Sequence, residues 1–284
     1  MSACVTKSLS TIILACQLIG FNNTRVFCFF AIIAEGAQVK KSIKIGALIF
    51  SRHDSCRLPG KALLKINGQE LLGRVIVRSK KLVGVSRVVV ATSGRQTDDK
   101  IAEFANLYGV AVFRGSVEDV AERAIEACNF YGWDAFVRIC GDRPFFDVSI
   151  VNDAVANMKD QPCDLLTTSG KFALPPGLTT ELVYVPALVR YYDQFKTRHK
   201  EHVTSFFYEH KDKFDIRYMN YLSISKGLYP TTLVVDTDVD LQRATWIARE
   251  LELRGLASEQ SAKTLLDLAT QWDQHHLINT NYSI

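Results

Sequence analysis

From residue 43 onward the chain alternates short apolar runs with amphipathic stretches. Residues 45–50 (Ile-Gly-Ala-Leu-Ile-Phe) form a continuous apolar run, the pattern of a strand buried on both faces. Residues 71–82 carry apolar side chains at 71, 72, 75, 76 and 82, which predicts a helix. A second strand is predicted over 87–91 and ended by Thr92-Ser93-Gly94. A helix follows over 98–108, with acidic residues in its first turn and Gly109 just past its end. Residues 110–113 predict a third strand, 117–131 a further helix, and 135–139 a fourth strand closed by Cys140-Gly141-Asp142-Arg143-Pro144.

Strand and helix alternating at this spacing predict βαβ units in a mostly parallel, twisted sheet with helices on both faces. In such sheets ligands sit at the carboxyl ends of the strands. One rim then gathers the 51–61 loop, Thr92-Ser93, Arg114-Gly115-Ser116 and Gly141-Asp142.

Beyond residue 174 the pattern is less regular. Pro175-Pro176-Gly177 is a turn, 181–185 a strand, 186–195 and 200–210 helices, and 214–218 a strand. This part reads as a small insertion or dimer arm, so a homodimer is expected. Residues 232–237 predict a strand ending in a carboxylate, 239–253 an amphipathic helix, and 265–272 a last helix. With no internal repeat and no low-complexity linker, 43–284 reads as one domain.

Composition narrows the class. At 284 residues, 48% hydrophobic and 23% charged, the chain is an ordinary globular sequence. A net charge of +4 suits anionic small molecules, while the lack of Lys/Arg blocks interleaved with aromatics argues against nucleic acid. Seven cysteines without a Cys-x-x-Cys pair read as free thiols in a reducing, cytoplasmic compartment, without structural zinc.

Residues 1–42 differ from the rest. Residues 11–34 are mostly apolar but broken by Asn22, Asn23 and Arg25, which makes a poor membrane span, so no stable membrane partner is expected. A signal peptide lacks a clear cleavage site, leaving an upstream extension outside the fold as the preferred reading.

The loop Ser51-Arg52-His53-Asp54-Ser55-Cys56-Arg57-Leu58-Pro59-Gly60-Lys61 leaves a buried strand carrying three arginine or lysine cations and a Pro-Gly turn. That composition suits a polyphosphate cradle and suits a solvated surface loop equally. It lacks the Walker spacing, and no Gly-x-Gly-x-x-Gly follows the first strand. Asp142 and Asp236, each after an apolar run, are candidate magnesium ligands or else turn and helix caps, with Asp238 an alternative cap. His199-x-x-His202 is more simply a polar helix face than a metal pair.

Taken together, Arg52-x-x-Ser55-x-Arg57-Leu58-Pro59-Gly60-Lys61 resembles the signature loop of the sugar cytidylyltransferases of the CMP-Kdo synthetase type, and more closely their spore-coat-polysaccharide branch. Val90-Ala91-Thr92-Ser93, Phe113-Arg114-Gly115-Ser116 with Asp119-Val120, and Val137-Arg138-Ile139 before Gly141-Asp142-x-Pro144 match in order. So do Glu201-His202-Val203-Thr204 with Tyr208-Glu209, and Val235-Asp236-Thr237-x-x-Asp240-Leu241. The resemblance implies a Rossmann-like nucleotidyltransferase fold of glycosyltransferase-A shape. The implied reaction takes CTP and an acidic sugar to a CMP-sugar and pyrophosphate, for surface polysaccharide.

Carried over by position, Arg52, Arg57 and Lys61 hold the triphosphate, and Asp142 and Asp236 hold Mg2+. Ser55, Gly60, Thr92, Ser93, Ser116 and Arg123 serve the nucleotide, and Arg143, Glu181 and His202 serve the substrate side. His53, Asp54 and Cys56 depart from the family pattern and are expected to bear on substrate preference. Two rivals remain: a glycosyltransferase of the same fold, for which Asp236-Thr237-Asp238 would be the metal motif, and a non-catalytic homologue, for which Arg143 beside Asp142 would be the sign.

Overall fold

A computed structural model of the chain describes residues 43–170, 174–221, 231–257 and 260–281, the side chains only as far as 276. The expected extension over 1–42 lies outside the described residues.

Strand β1 (Ile45–Phe50) takes an interior place in the sheet because its side chains are apolar in both directions. Ile45, Ala47 and Ile49 enter one core and Leu48 the other. Gly46 is required by packing: a Cβ there would lie 1.9 Å from Cε3 of Trp133. A minor hairpin, β2 (Lys65–Ile66) and β3 (Gln69–Glu70), leads into α1 (Leu71–Ser79).

The next units alternate as the pattern predicts. They are β4 (Val88–Ser93), α2 (Asp99–Leu107), β5 (Ala111–Gly115), α3 (Val120–Tyr131) and β6 (Ala135–Cys140). Local chemistry sets the ends of α3. The Asp119 side chain accepts the Glu122 N–H at 2.8 Å, and Gly132 closes the helix in the left-handed conformation.

Residues 145–174, which the pattern reading passes over, contain α4 (Val148–Asp160) and β7 (Leu165–Thr167). The signal for α4 was available: Ile150, Val151, Ala154, Val155 and Met158 recur at helical spacing and are all buried. Then come β8 (Glu181–Tyr184), α5 (Val185–Arg190), α6 (Thr197–Glu201), α7 (Ser205–Glu209), β9 (Ile216–Tyr218), α8 (Asp238–Leu253) and α9 (Ala262–Asn281).

The main sheet has seven strands in the order β5-β4-β1-β6-β8-β7-β9. Neighbours run parallel except at β8, which is antiparallel to both β6 and β7. Helices α1, α2 and α4 cover one face, and α3, α5 and the aromatic residues of α7 cover the other. The expected architecture is therefore present.

Three expectations change. The helix predicted over 200–210 is two short helices, broken at His202 and Thr204, and that over 186–195 ends at Arg190. The described residues of the supposed arm are built into the sheet and its cover, and Phe195, Phe206, Phe207 and Phe214 are buried in the second core. Their aromatic content is spent on the fold. Lastly, residues 232–236 are extended but join no sheet. Leu233 N–H donates to the Pro176 carbonyl at 2.8 Å and Val235 N–H to the Asp142 carbonyl at 2.9 Å, while both side chains enter a third core with α8 and α9. An apolar run satisfies a packed loop as well as a strand; the ladder partner decides.

Among the described residues no helix is long and apolar enough to cross a membrane.

Candidate active site

At the carboxyl ends of β1 and β6 lies an open cleft of about 460 Å³. The 51–61 loop forms one lip. It leaves β1, where a Cβ on Gly141 would come within 2.9 Å of Ser51 Cβ and 3.0 Å of the Phe50 carbonyl, so only glycine lets the two strand ends approach this closely. It turns back at Gly60, whose φ of 68° is left-handed and whose N–H donates to the His53 carbonyl at 3.1 Å. That turn starts the 3-10 segment Lys61–Leu63 and points Lys61 inward.

Lys61 is the hub. Its ammonium donates to Asp142 Oδ2 at 3.0 Å, Asp236 Oδ1 at 2.7 Å and the Val235 carbonyl at 2.9 Å. Burial works against the charge, but the two carboxylates raise the lysine above its ordinary value and keep it cationic. Arg57 pairs with the other oxygen of Asp236. Arg52 lies 3.8 Å from Asp54 and 3.6 Å from Glu201. Both Arg52 contacts are long and exposed, and such pairs contribute roughly 0–1 kcal/mol, so they hold the guanidinium in the cleft weakly enough for a phosphate to displace them.

Two carboxylates and a carbonyl thus converge on one cation, a set of hard oxygen donors of the kind a magnesium ion takes. Among the described residues no group of three His, Cys, Asp or Glu side chains gathers as a metal cage. A magnesium ion held here would complete its shell with water and substrate phosphate, as that ion commonly does. Asp236 caps no helix. Thr237 is the N-cap of α8 and exchanges hydrogen bonds with Asp240 in a capping box. Asp238 turns outward to Gln242. Of the Asp-x-Asp pattern only Asp236 faces the cleft.

The other expected residues divide. Ser55, Cys56, Arg123 and His202 line the cleft. Thr92 and Ser93 are buried behind it, and the Ser93 hydroxyl is committed to Asp98. Ser116 orders the start of α3, its hydroxyl accepting the Asp119 N–H at 3.2 Å and its carbonyl accepting from Arg123 at 2.9 and 2.6 Å. Arg123 also reaches the Val117 carbonyl at 3.1 Å, so its guanidinium shapes the β5–α3 loop from beneath.

Two residues expected on the substrate side, Arg143 and Glu181, do not line the cleft. Arg143 donates to the Thr179 carbonyl and hydroxyl at 2.7 and 2.9 Å. Glu181 is buried as the partner of Arg138, at 2.7 Å, and does not reach the cleft wall. His199 and His202 do not act together. His199 is buried between the Lys196 N–H and Glu209, each at 3.0 Å, whereas His202 is exposed at the cleft.

Sequence reasoning assigns no site role to Asp98, or to Arg138 although it stands in a matched motif. Asp98 is fully buried at the start of α2, accepts the His53 N–H at 2.6 Å and the Ser93 hydroxyl, and lies 3.5 Å from Arg95. Arg95 in turn holds Asp54 at 2.7 Å, an ion pair that keeps the Asp54 carboxyl below its usual range. The His53 backbone and the Asp54 side chain fasten the loop, and Asp54 also lines the cleft. A carboxylate in a helix's first turn looks like an ordinary dipole partner in sequence, so no local pattern marks Asp98.

With fold and site in view, comparison with known proteins defines the class. The cytidylyltransferase family model matches residues 46–278, and the chain belongs to that family of nucleotidyltransferase enzymes. An uncharacterised protein of Methanocaldococcus jannaschii is 30% identical over 243 residues, covering 84% of this chain and 96% of its own. The spore coat polysaccharide biosynthesis protein SpsF of Bacillus subtilis is 26% identical over 178 residues, 61% of this chain and 73% of its own. The 3-deoxy-manno-octulosonate cytidylyltransferase of Acinetobacter baumannii is 33% identical over 126 residues, 42% of this chain and 48% of its own.

Among solved structures, a cytidylyltransferase from Leptospira borgpetersenii superposes with a TM-score of 0.70 at 28% identity, covering 85% of this chain and 99% of that one. CMP:2-keto-3-deoxy-manno-octonic acid synthetase complexed with CTP superposes with a TM-score of 0.55 at 18% identity, covering 73% and 99%, a likeness of fold.

Proposed function

We propose that the protein transfers CMP from CTP to a hydroxyl of an acidic sugar, releasing pyrophosphate, with magnesium as cofactor, to activate a sugar for surface polysaccharide. The observation that carries this reading is the meeting of Lys61 with Asp142 and Asp236 at the mouth of the cleft, beside Arg52 and Arg57.

An oxygen nucleophile attacking an α-phosphate meets like charge, and the leaving pyrophosphate gathers more. Fixed cations aimed at those oxygens lower the barrier without reorganising during the reaction. Arg52 and Arg57 sit on the loop's exposed edge and neutralise the outer phosphates. Lys61, held cationic and in place by its two carboxylates, meets the charge that builds on the bridging oxygen. Asp142 and Asp236 are the residues that would hold magnesium, which supplies Lewis-acid neutralisation of phosphate oxygens when bound. Arg123 and the β5–α3 loop it shapes border the nucleoside side.

The acidic sugar is supported by relatives named for 3-deoxy-manno-octulosonate and for spore coat polysaccharide. The free thiols Cys56, Cys128, Cys140 and Cys163 suit a cytoplasmic setting. The glycosyltransferase reading loses its support because Asp238 faces away from the cleft.

The test is pyrophosphate release by the purified full chain, with Mg2+ and a panel of 2-keto sugar acids, comparing CTP with UTP. Release that needs both CTP and an acid is expected. No release with any acid, or equal use of UTP, would overturn the reading.

A further inference from the structure

The inner wall of the cleft carries a cation that the triphosphate machinery does not use. Arg138 and Cys140 lie two residues apart on β6 and so share a face of the sheet, and both line the cleft. Phe136, two residues before Arg138, belongs on that same face to a core with Leu48, Leu165, Val183 and Phe207. A guanidinium among these groups is unfavourable unless it is paired.

The pairing is one-sided. Glu181 Oε2 accepts from Arg138 Nη1 at 2.7 Å, and Glu181 Oε1 accepts the Tyr208 hydroxyl at 2.7 Å. Tyr208 is itself within 2.8 Å of Thr167 Oγ1. The carboxylate is therefore satisfied at both oxygens and its position is fixed from behind. The guanidinium is not, because its Nε is buried and has no hydrogen-bond partner. A buried ion pair gives little stability over apolar residues of the same shape, so stability alone does not account for placing one here. Arg52, Arg57 and Lys61 already carry carboxylate partners at the mouth, whereas Arg138 has its one partner behind it and the cleft in front.

We propose that Arg138 is the residue that recognises the carboxylate of the acceptor, and that Glu181 and Tyr208 hold its fork at the required angle. The inference rests on the cytidylyltransfer reading above and names how its acidic substrate is selected. A planar guanidinium fork matches a carboxylate in two-pronged fashion, and a neutral sugar would leave Arg138 with Glu181 as its one charged partner. Glu201, at the end of α6, and His202 just after it line the same cleft.

The experiment compares kcat/KM for the best 2-keto sugar acid of the panel with that for its carboxamide. Wild type is expected to prefer the acid by about 100-fold or more, as sites built around a specific polar group do. Removing Arg138 alone strands Glu181, so the first variant is Arg138→Met with Glu181→Leu, an apolar replacement of the pair that circular dichroism would show folded. In it the preference falls below about fivefold while KM for CTP moves less than about threefold. Arg138→Lys keeps the charge and loses the fork, and its preference falls about tenfold whether or not the double variant folds. A wild-type preference retained in either folded variant overturns the assignment and makes the pair purely structural. Absence of turnover by wild type with every acid removes the parent reading, and this inference with it.

Discussion

The His53 backbone N–H donates to the buried Asp98 carboxylate at 2.6 Å, tying the cationic loop to the start of α2 across 45 residues of sequence. The same carboxylate takes the Ser93 hydroxyl at the end of β4. Asp98 therefore fixes how the loop leaves the sheet, and with it where Arg52, Arg57 and Lys61 stand. Asp98→Ala leaves the part-buried His53 N–H without its partner, a change that costs about 1 kcal/mol. It is expected to lower kcat/KM for CTP by about 10- to 100-fold through misplacement of the cations. Asp98→Asn keeps an acceptor for His53 and should lose less than about tenfold. Steady-state kinetics and thermal melts of both variants check this; Asp98→Ala with wild-type kinetics would show that the loop holds its shape alone.

Lys61 and its two carboxylates form the part of the site least tolerant of change. Lys61→Met leaves Asp142 and Asp236 without their shared cation and removes charge stabilisation in the transition state, for a loss of about 10²- to 10³-fold in pyrophosphate release. Arg57→Ala is milder, about tenfold, because its side chain is 68% exposed and well hydrated. Because Lys61 is raised above the ordinary lysine value of about 10.4, its contribution to stability is present below that pH and is lost as pH rises through the higher native value. Melting temperature followed from pH 9 to 11.5 reads that loss, which Lys61→Met should lack.

Metal removal is expected to stop the reaction without unfolding the protein. Lys61 already bridges Asp142 and Asp236, so the fold is expected to hold without metal. EDTA should abolish pyrophosphate release, excess Mg2+ should restore it, and circular dichroism should be unchanged throughout. Asp142→Asn should abolish release with the fold intact. Full release in EDTA would remove both carboxylates from the metal role.

Acid sensitivity follows from Glu181. Burial opposes its charge, but Arg138 and the Tyr208 hydroxyl together hold the carboxyl below its ordinary value. A depressed carboxylate adds stability above the unfolded-state value of about 4.3 and loses it as pH falls toward the lower native value. Wild type should therefore lose stability below about pH 4.5 more steeply than Glu181→Gln, measured as denaturation midpoints between pH 3 and 6. Parallel curves would show that the pair adds nothing to pH dependence.

The thiols should divide by position. Cys56 is exposed on the cleft lip, whereas Cys128 and Cys163 are buried, with burial raising Cys128 strongly and pushing Cys163 up to about 11. With N-ethylmaleimide at pH 7, peptide mass spectrometry should find Cys56 labelled first among these three, and CTP with Mg2+ should slow it. Labelling of Cys56 at the same rate with and without nucleotide would place the triphosphate elsewhere.

The sequence by itself determined the alternation of strands and helices from residue 45 to 140, since a buried strand's apolar run and a helix's periodic face are local patterns. It also singled out the cations Arg52, Arg57 and Lys61 in the loop after the first strand and the carboxylates Asp142 and Asp236 after apolar runs. Only the tertiary structure decided which of these meet. Lys61 and Asp236 are 175 residues apart, and their contact depends on residues 232–236 packing against α8 rather than joining the sheet. Nothing local separates those two outcomes, because the same apolar residues serve both. Charge behaves alike: the sequence placed Asp98 at a helix start, Arg138 in a strand and Glu181 on the substrate side, and only the packing of the sheet and its helices made Asp98 the anchor of the loop and Arg138 and Glu181 a pair. Arg143, next in sequence to the proposed metal ligand, is held instead by the Thr179 carbonyl and hydroxyl, a partner 36 residues away that no local pattern marks.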